Sequence, residues 1–365
     1  MSYSKPVISV IVLAPYYLNS VASQRYRIEQ WSSYLIAKYS ISFSFITLCD
    51  KSFQKILYTE SKNIRKILYF VWLYISVLFK VICLKKYDVL FLHRELSPIG
   101  LPIIEYIASL KKIPIIYDFD DAIFLQYNSL LFFLLTYLKC TWKTAFICKI
   151  SKQVTVGNRY LQNYALKYNS NVAILPSTIN TKYYRVKKHE VKEKVIIGWT
   201  GSYSTSLRYL TGIEPIFRKL KENYNFEFVL ISDRKINLEI EYRFIKWSAD
   251  TEIQDLLNLD IGIMPLPGDD WSQGKCGMKL LQYMGAGIPV VASPVGINKD
   301  IVIDGSNGFL ASTDDEWVEK LSVLIKDFHL REAFGKNGRE MVENKYSTEC
   351  SAEPLYSIIK TITNL

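Results

Sequence analysis

The densest grouping of residues able to do chemistry lies in residues 265–296, PLPGDDWSQGKCGMKLLQYMGAGIPVVASPVG. An apolar run ends at Met264, a loop rich in Gly and Asp follows, a helix starts near Gly277, and Gly-Ala-Gly leads through Pro289 into another apolar run. Free amides at a helix N-terminus sit at the positive end of its dipole and bind phosphate or a sugar oxyanion. Lys275, Lys279 and Gln282 recur at helical spacing and share one face, with Met278, Leu281 and Gly285 on another. Gly274 and Gly277 bracket a stretch, with Cys276 inside it, where backbone must approach a ligand closely. Asp269 and Asp270 stand just before.

Other windows offer related chemistry. Residues 195–210, VIIGWTGSYSTSLRYL, read as strand, Gly-rich turn and helix, a phosphate-cradling layout. Gly201 gives the close approach, with Ser202, Ser204 or Thr205 as hydroxyl donors and N-cap. In the first half, YDVLFLHRELSP ends a strand on His93 and Arg94, and IIYDFDDAIF ends another on Asp118, Asp120 and Asp121. A D-x-D triplet can hold Mn²⁺ or Mg²⁺ on a nucleotide diphosphate, or its carboxylates can meet an acceptor. Residues 21–30 start a helix with Ser23 as its candidate cap and with Arg25 and Arg27 available to phosphates. Asn158, after Gly157, is a candidate acceptor-side contact.

The 274–292 segment, G-K-C-G-M-K-L-L-Q-Y-M-G-A-G-I-P-V-V-A, resembles the pattern E-x-F-G-x-x-x-x-E-A-M-A-x-G-x-P-V-V-A of the family-4 retaining glycosyltransferases. Gly277, Gly287, Pro289, Val290, Val291 and Ala292 match, while Gly274 and Gln282 stand where the family has glutamates. In that family the first glutamate reaches donor-sugar hydroxyls and the second holds the nucleotide ribose. The resemblance implies a GT-B fold, two Rossmann-like doubly wound α/β domains facing a central cleft. It implies a UDP- or GDP-sugar donor, a glycan or lipid-linked acceptor, surface-polysaccharide biosynthesis, and no cofactor or metal. Trp199 replaces an arginine expected in the first phosphate loop, which passes that charge to Lys275 and Lys279. His93 falls on a histidine that lies against the reacting sugar in the family's D-V-x-H-x-H-E-P segment. His93 and Lys279 are therefore the catalytic candidates. Gly201, Ser202, Thr205, Gly274, Lys275, Cys276, Gly277 and Gln282 are the donor-binding ones, and Arg25, Arg94, Asp120, Asn158 and Asp270 the acceptor or sugar contacts. A noncatalytic binder of nucleotide sugar or polysaccharide on the same fold is the alternative.

These loops need strands and helices to hold them. Twelve short apolar runs alternate with longer helical stretches, which argues for parallel sheets covered by helices. Residues 182–194 are polar and mostly charged, and the boundary is placed there: 1–187 as an acceptor-side domain, 188–345 as a donor domain, 346–365 as a helix returning to the first. The chain of 365 residues is 49% hydrophobic and 22% charged, which excludes disorder and a disulfide-dense miniprotein. Six scattered cysteines read as reduced core thiols. A net charge of +10 attracts anions, yet the basic residues are spread along the chain rather than gathered in a nucleic-acid-binding module. No G-x-G-x-x-G follows the first strand, against a dehydrogenase. The first apolar run ends in Pro-Tyr-Tyr and reads as a strand, not a signal peptide. Residues 67–79 and 130–138 are apolar, aromatic and lysine-flanked; they are too short to span a bilayer and suit its anionic surface. The expected location is cytoplasmic, at the inner face of the cytoplasmic membrane.

Overall fold

The computed structural model describes residues 8–57, 63–125 and 140–364. All twelve apolar runs are strands, displaced by no more than two residues, and they form two six-stranded sheets. Every pairing is parallel. The chain divides into two compact units, Met1–Ser177 with Ser351–Leu365, and Thr178–Cys350. The apolar patch at 130–138 lies outside the described residues.

The first unit runs β1 (Ile8–Ala14), α1 (Ala22–Gln24), a π-helical segment (Arg25–Glu29), α2 (Gln30–Lys38), β2 (Ile41–Thr47), α3 (Lys51–Leu57), α4 (Asn63–Ile82), β3 (Val89–His93), α5 (Ile103–Leu110), β4 (Ile115–Phe119), α6 (Lys143–Ile150), β5 (Gln153–Val156), α7 (Arg159–Ala165) and β6 (Val172–Ile174). Its strand order is β2-β1-β3-β4-β5-β6. Helices cover both faces of such a sheet, so central strands are apolar runs rather than alternating ones. Strands β3 and β4 are buried at every position. His93 and Asp118 are the polar exceptions, and burial obliges them to find partners.

The second unit runs β7 (Val195–Thr200), α8 (Tyr203–Leu210), α9 (Glu214–Lys221), β8 (Phe226–Ser232), β9 (Arg243–Lys246), α10 (Glu252–Leu256), β10 (Ile261–Met264), α11 (Asp270–Gln273), α12 (Met278–Gly285), β11 (Val290–Ala292), α13 (Asn298–Ile301), β12 (Gly308–Leu310), α14 (Asp314–Lys326) and α15 (Phe328–Lys345). Its order is β12-β11-β10-β7-β8-β9. The order reverses between β7 and β10, and open α/β sheets bind ligands at the carboxyl ends of the strands flanking such a switch point. In the first unit the reversal falls between β1 and β3.

The polar stretch 182–194, where the charge pattern places a boundary, belongs to the second unit. Lys187 donates its amide to the Ala286 carbonyl, and its ammonium lies 3.1 Å from the Asp260 carboxylate, which Lys192 also reaches. His189 Nε2 sits 2.8 Å from the Gly287 carbonyl, and burial pushes the imidazole below its ordinary pKa. Lys187 and Lys192 there neutralise a buried carboxylate.

The final helix, α16 (Thr348–Thr363), begins in the second unit and continues into the first. There Ala352, Leu355 and Ile359 join Val10, Trp31, Leu35 and Phe91 in the core. Tyr34, Tyr39 and Lys38 converge on Glu353, and Tyr39 stacks on Tyr356 with centroids 3.8 Å apart. All six cysteines are free; Cys49, Cys148 and Cys276 are buried, whereas Cys83 is on the surface and is no core thiol. Among the described residues, no helix is long and apolar enough to cross a membrane.

Candidate functional site

In the second unit the loops after β7 and β10 bring several of the expected residues together. Helix α12 starts at Met278, so Lys275 stands in the loop before it and does not share the helical face of Lys279 and Gln282. Gly277 is its N-cap, at a φ of 67° that side chains rarely adopt, and a Cβ there would meet Ile301 Cδ1 at 2.3 Å. Both constraints demand glycine. Lys279 rises from the first turn of α12 to lie 4.6 Å from the ring centroid of Trp199. Trp199 is fully buried and donates its indole N–H to Ser206.

A Cβ on Gly201 would lie 2.8 Å from Thr205 Oγ1, 3.0 Å from Lys279 Cε and 3.0 Å from Trp199 Nε1. The Gly201 backbone, the Thr205 hydroxyl and the Lys279 side chain thus surround one spot beside the switch point. Ser202 is the exposed N-cap of α8; its hydroxyl lies 3.2 Å from that of Thr205 and makes no capping bond. A lysine, the N-terminal end of a helix and hydroxyls around a close backbone approach suit a phosphate.

Gln282 is buried, and its Nε2 donates to Glu252 Oε1 at 2.9 Å. Trp247 Nε1 donates to the same oxygen at 3.2 Å. Glu252 was not among the residues chosen from the sequence. Its signal was a glutamate opening a helix after β9, at the same edge of the sheet. It places a buried carboxylate against the very position where the glutamate of the 282 pattern has become an amide. Lys275 lies 4.9 Å from the Trp271 ring. Gly274 is buried, and the Cys276 thiol points to its carbonyl at 3.9 Å. Asp269 caps α11 through the Ser272 amide and pairs with Arg208 at 2.6 Å. Burial works against its ionisation, and the Ser272 and Arg208 hydrogen bonds outweigh it and lower its pKa. Asp270 is exposed.

In the first unit, Asp118 gathers the polar side chains. Its Oδ2 accepts from Arg27 Nε at 2.8 Å and lies 3.0 Å from His93 Nδ1; its Oδ1 accepts from Arg27 Nη2 at 2.5 Å and from Thr155 Oγ1 at 2.7 Å. Arg27, His93, Asp118 and Thr155 are all fully buried. The sequence expectation that Arg27 meets phosphates is therefore corrected. The π-helical segment turns Arg27 inward, and its remaining donors go to the Leu175 carbonyl and Ser177. Ser23 is corrected too: Val21 is the N-cap of α1, and the Ser23 hydroxyl lies 3.1 Å from His93 Nε2 and 2.6 Å from Asp120 Oδ1.

Arg94 follows β3 at a φ of 56°, donates its amide to the Asp118 carbonyl and lies 3.5 Å from Asp121. Arg25 donates to the Tyr26 hydroxyl at 3.1 Å. Asn158 is buried as the N-cap of α7, its carbonyl oxygen taking the Leu161 amide. Among the described residues, no group of three or more His, Cys, Asp or Glu side chains converges as a set of metal ligands. Asp118, one end of the D-x-D triplet, has its oxygens filled by Arg27, His93 and Thr155.

Residues 217–341 match the family described as Glycosyl transferases group 1. The capsular polysaccharide biosynthesis glycosyltransferase CapM of Staphylococcus aureus is 24% identical over 200 residues, covering 50% of this chain and 49% of that protein. An uncharacterised glycosyltransferase of Methanocaldococcus jannaschii is 29% identical over 151 residues, 38% of this chain and 41% of its own. The chain thus spans about half the length of the curated relatives it matches. Among solved structures, the sucrose-phosphate synthase of Thermosynechococcus elongatus superposes with a TM-score of 0.69 over 98% of this chain and 99% of its own, at 13% identity. The Anabaena protein HepE, solved with UDP-glucose, gives 0.67 over 97% and 100%, at 12% identity. The chain has the two-unit GT-B fold, and the part of its second unit from 217 to 341 is similar to the group 1 glycosyl transferases.

Proposed function

We propose that this protein transfers a sugar, with retention of configuration, from a UDP- or GDP-sugar to a glycan or lipid-linked acceptor in surface-polysaccharide assembly, without a metal or cofactor. The observation that carries the reading is Lys279, held over Trp199 beside Gly201 and Thr205 at the switch point of the second unit. Negative charge develops on the departing diphosphate, and preorganised amides and an ammonium stabilise it there. HepE, seen with UDP-glucose, and CapM, named for capsular polysaccharide, support the donor and product classes. Thermal unfolding with UDP, GDP, ADP, CMP or NAD, with and without EDTA, tests it. A ligand at ~100 times its Kd stabilises by about 2.7 kcal/mol. A shift with one diphosphate nucleotide, unchanged by EDTA, is expected. No shift with any of them, or one that EDTA removes, contradicts the reading.

The replacement of both motif glutamates favours a second reading, a protein that holds nucleotide sugar without turning it over. Donor consumption separates the two. Glu252, placed against Gln282, supports the enzyme.

The location at an anionic membrane rests on α4. Leu73, Val77 and Val81 form its buried stripe, with Leu73 against Cys49 and Phe53. Ile64, Ile67, Leu68, Trp72 and Phe79 are each more than half exposed. Helix α5 adds exposed Ile103, Tyr106 and Leu110 alongside, and Lys111 donates to the Ile82 carbonyl at the end of α4. Arg65, Lys80, Lys85 and Lys86 are exposed at the two ends of this face. Apolar area of this extent with a basic margin suits a bilayer surface bearing anionic lipid. The full chain is expected to float with vesicles containing phosphatidylglycerol at low salt, less with phosphatidylcholine alone, and Trp72→Glu with Phe79→Glu to abolish flotation. Equal recovery in the vesicle-free fraction, or a dimer by light scattering that the same pair of changes dissolves, overturns the assignment.

A further inference from the structure

We propose that the loop of residues 96–102, between β3 and α5, is a membrane-inserting tip, and that it turns the carboxyl edge of the first sheet toward an anionic bilayer. This rests on the membrane reading of α4 above and deepens it, because α4 alone leaves the orientation of the unit open. Its exposed apolar residues run along its whole length, with Arg65 and Lys66 near its start and Lys80, Lys85 and Lys86 at and beyond its end. A helix so flanked lies in the plane of the surface with neither end preferred.

The loop supplies the asymmetry. Residues 98–104 read PIGLPII, with no charged or hydrogen-bonding side chain. Ile99 is 51% exposed and Leu101 54%, and Gly100 turns the chain between them at a φ of 81°, with open space where a Cβ would stand. The tip is held from beneath. Glu105, buried in the first turn of α5, accepts the Leu96 amide at 2.9 Å, and Lys143, buried at the start of α6, donates to the Ser97 carbonyl at 2.5 Å. The Ser97 hydroxyl donates to the Ile99 carbonyl at 2.6 Å and closes the turn. Buried charged groups are costly, and here two of them fix the backbone of one loop whose outermost side chains are aliphatic. A fixed, uncharged aliphatic tip at the surface suits an apolar medium better than water.

Two contacts fix the tip relative to α4. Tyr74 lies against the backbone of Ile103 and Ile104 at the start of α5, and Lys111, just past the end of α5, donates to the Ile82 carbonyl. Residues 74–82 therefore run alongside α5 in the same direction. Residues 64–73 then project beyond the start of α5 by roughly 14 Å, at about 1.5 Å per residue. They carry Ile64, Ile67, Leu68 and Trp72 past the edge at which Ile99 and Leu101 stand. Helix α3, which follows β2 at this edge, adds exposed Lys51 and Lys55 for lipid phosphates. The loops at the opposite edge, residues 83–88, 111–114 and 169–171, read CLKKYD, KKIP and NSN and offer no apolar tip. The occupant is thus the acyl region of an anionic bilayer. His93 ends the strand that leads into this loop, so an acceptor taken at this edge is one whose hydroxyl stays near the headgroups, a short lipid-linked glycan rather than a free polysaccharide.

The experiment places a thiol-reactive NBD fluorophore on the full chain, one site at a time, in a background with Cys83, Cys140 and Cys350 replaced by serine. Ile99→Cys reports the tip, Leu68→Cys the projecting part of α4, Ile82→Cys its far end and Asn171→Cys the opposite edge of the sheet. Each is mixed at low salt with vesicles of phosphatidylcholine and phosphatidylglycerol, with and without doxyl-labelled phosphatidylcholine. Emission at 99 and 68 is expected to rise about threefold and to be quenched by the doxyl lipid, with a smaller rise at 82 and none at 171. A label at 99 that stays in water while the one at 68 responds overturns the proposal and leaves the membrane reading standing. So does a response at 82 or 171 as large as that at 99. A response at 99 without vesicles, growing with protein concentration, assigns the tip to a second copy of the chain and overturns the proposal as well. If the protein does not float with these vesicles at all, the membrane reading itself fails, and the tip with it.

Discussion

Lys279→Ala is expected to lower kcat/KM for the nucleotide-sugar donor by about a thousandfold and to abolish the stabilisation by nucleotide diphosphate, while leaving the unliganded protein as stable as before. The reasoning starts from where the lysine stands. It lies in the first turn of α12, at the positive end of the helix dipole. A cation there is unfavourable for the helix by roughly 0.3–1 kcal/mol. Stacking on Trp199 returns a comparable ~0.5–1 kcal/mol. The two nearly cancel, so alanine costs the empty protein little. Once a diphosphate arrives, lysine and amides act together on one anion, and losing a preorganised donor to developing charge costs about 3–4 kcal/mol. Calorimetric titration with UDP and GDP, steady-state donor consumption and urea unfolding of the variant check all three statements. A variant that is unfolded without ligand, or one that still binds and turns over normally, removes Lys279 from the phosphate site.

The largest expected effect on stability belongs to Asp118→Asn. Arg27 and Asp118 are a fully buried, bidentate pair, and removing one charge strands the other. Breaking such a pair costs about 3–5 kcal/mol. The effect should carry a pH signature. Burial alone would raise the Asp118 pKa; the charge and hydrogen bonds of Arg27, then the bond from His93, outweigh it and hold the carboxyl well below its ordinary value. A depressed folded-state pKa contributes stability that is complete above the unfolded value, near ~3.9, and declines as pH falls below it. Urea unfolding should therefore show the gap between wild type and Asp118→Asn at full size near neutrality and shrinking as pH falls below about 4. A gap of constant size across that range would mean that Asp118 does not hold its charge through this pair.

The strands were legible because a doubly wound sheet buries its central strands on both faces. Runs such as 89–92 and 261–264 carry that burial in their composition. The candidate site's turn was legible where glycine is dictated locally, as at Gly277, whose left-handed backbone and crowding by Ile301 are a property of the turn itself. What escaped depends on side-chain destinations. Arg27 looks like a solvated basic residue at a helix start, and only a π-helical turn, invisible in a hydrophobic period, sends it into the core. Lys187 and His189 look like linker charges because the Asp260 and the Gly287 carbonyl they satisfy lie far along the chain. Glu252 was missed for the same reason, since its meaning appears only when Gln282 is set against it.

Helix α16 sets an order of events for a newborn chain. The core of the first unit holds Ala352, Leu355 and Ile359 beside Trp31 and Phe91. A ribosome releases residues 8–177 with that slot in the apolar core vacant, and must translate the whole second unit before the filling helix emerges. The earlier-made half of the protein is therefore the later to be completed. During that interval it exposes apolar surface, and chaperone protection of the nascent first unit is the biological demand that this chain path creates.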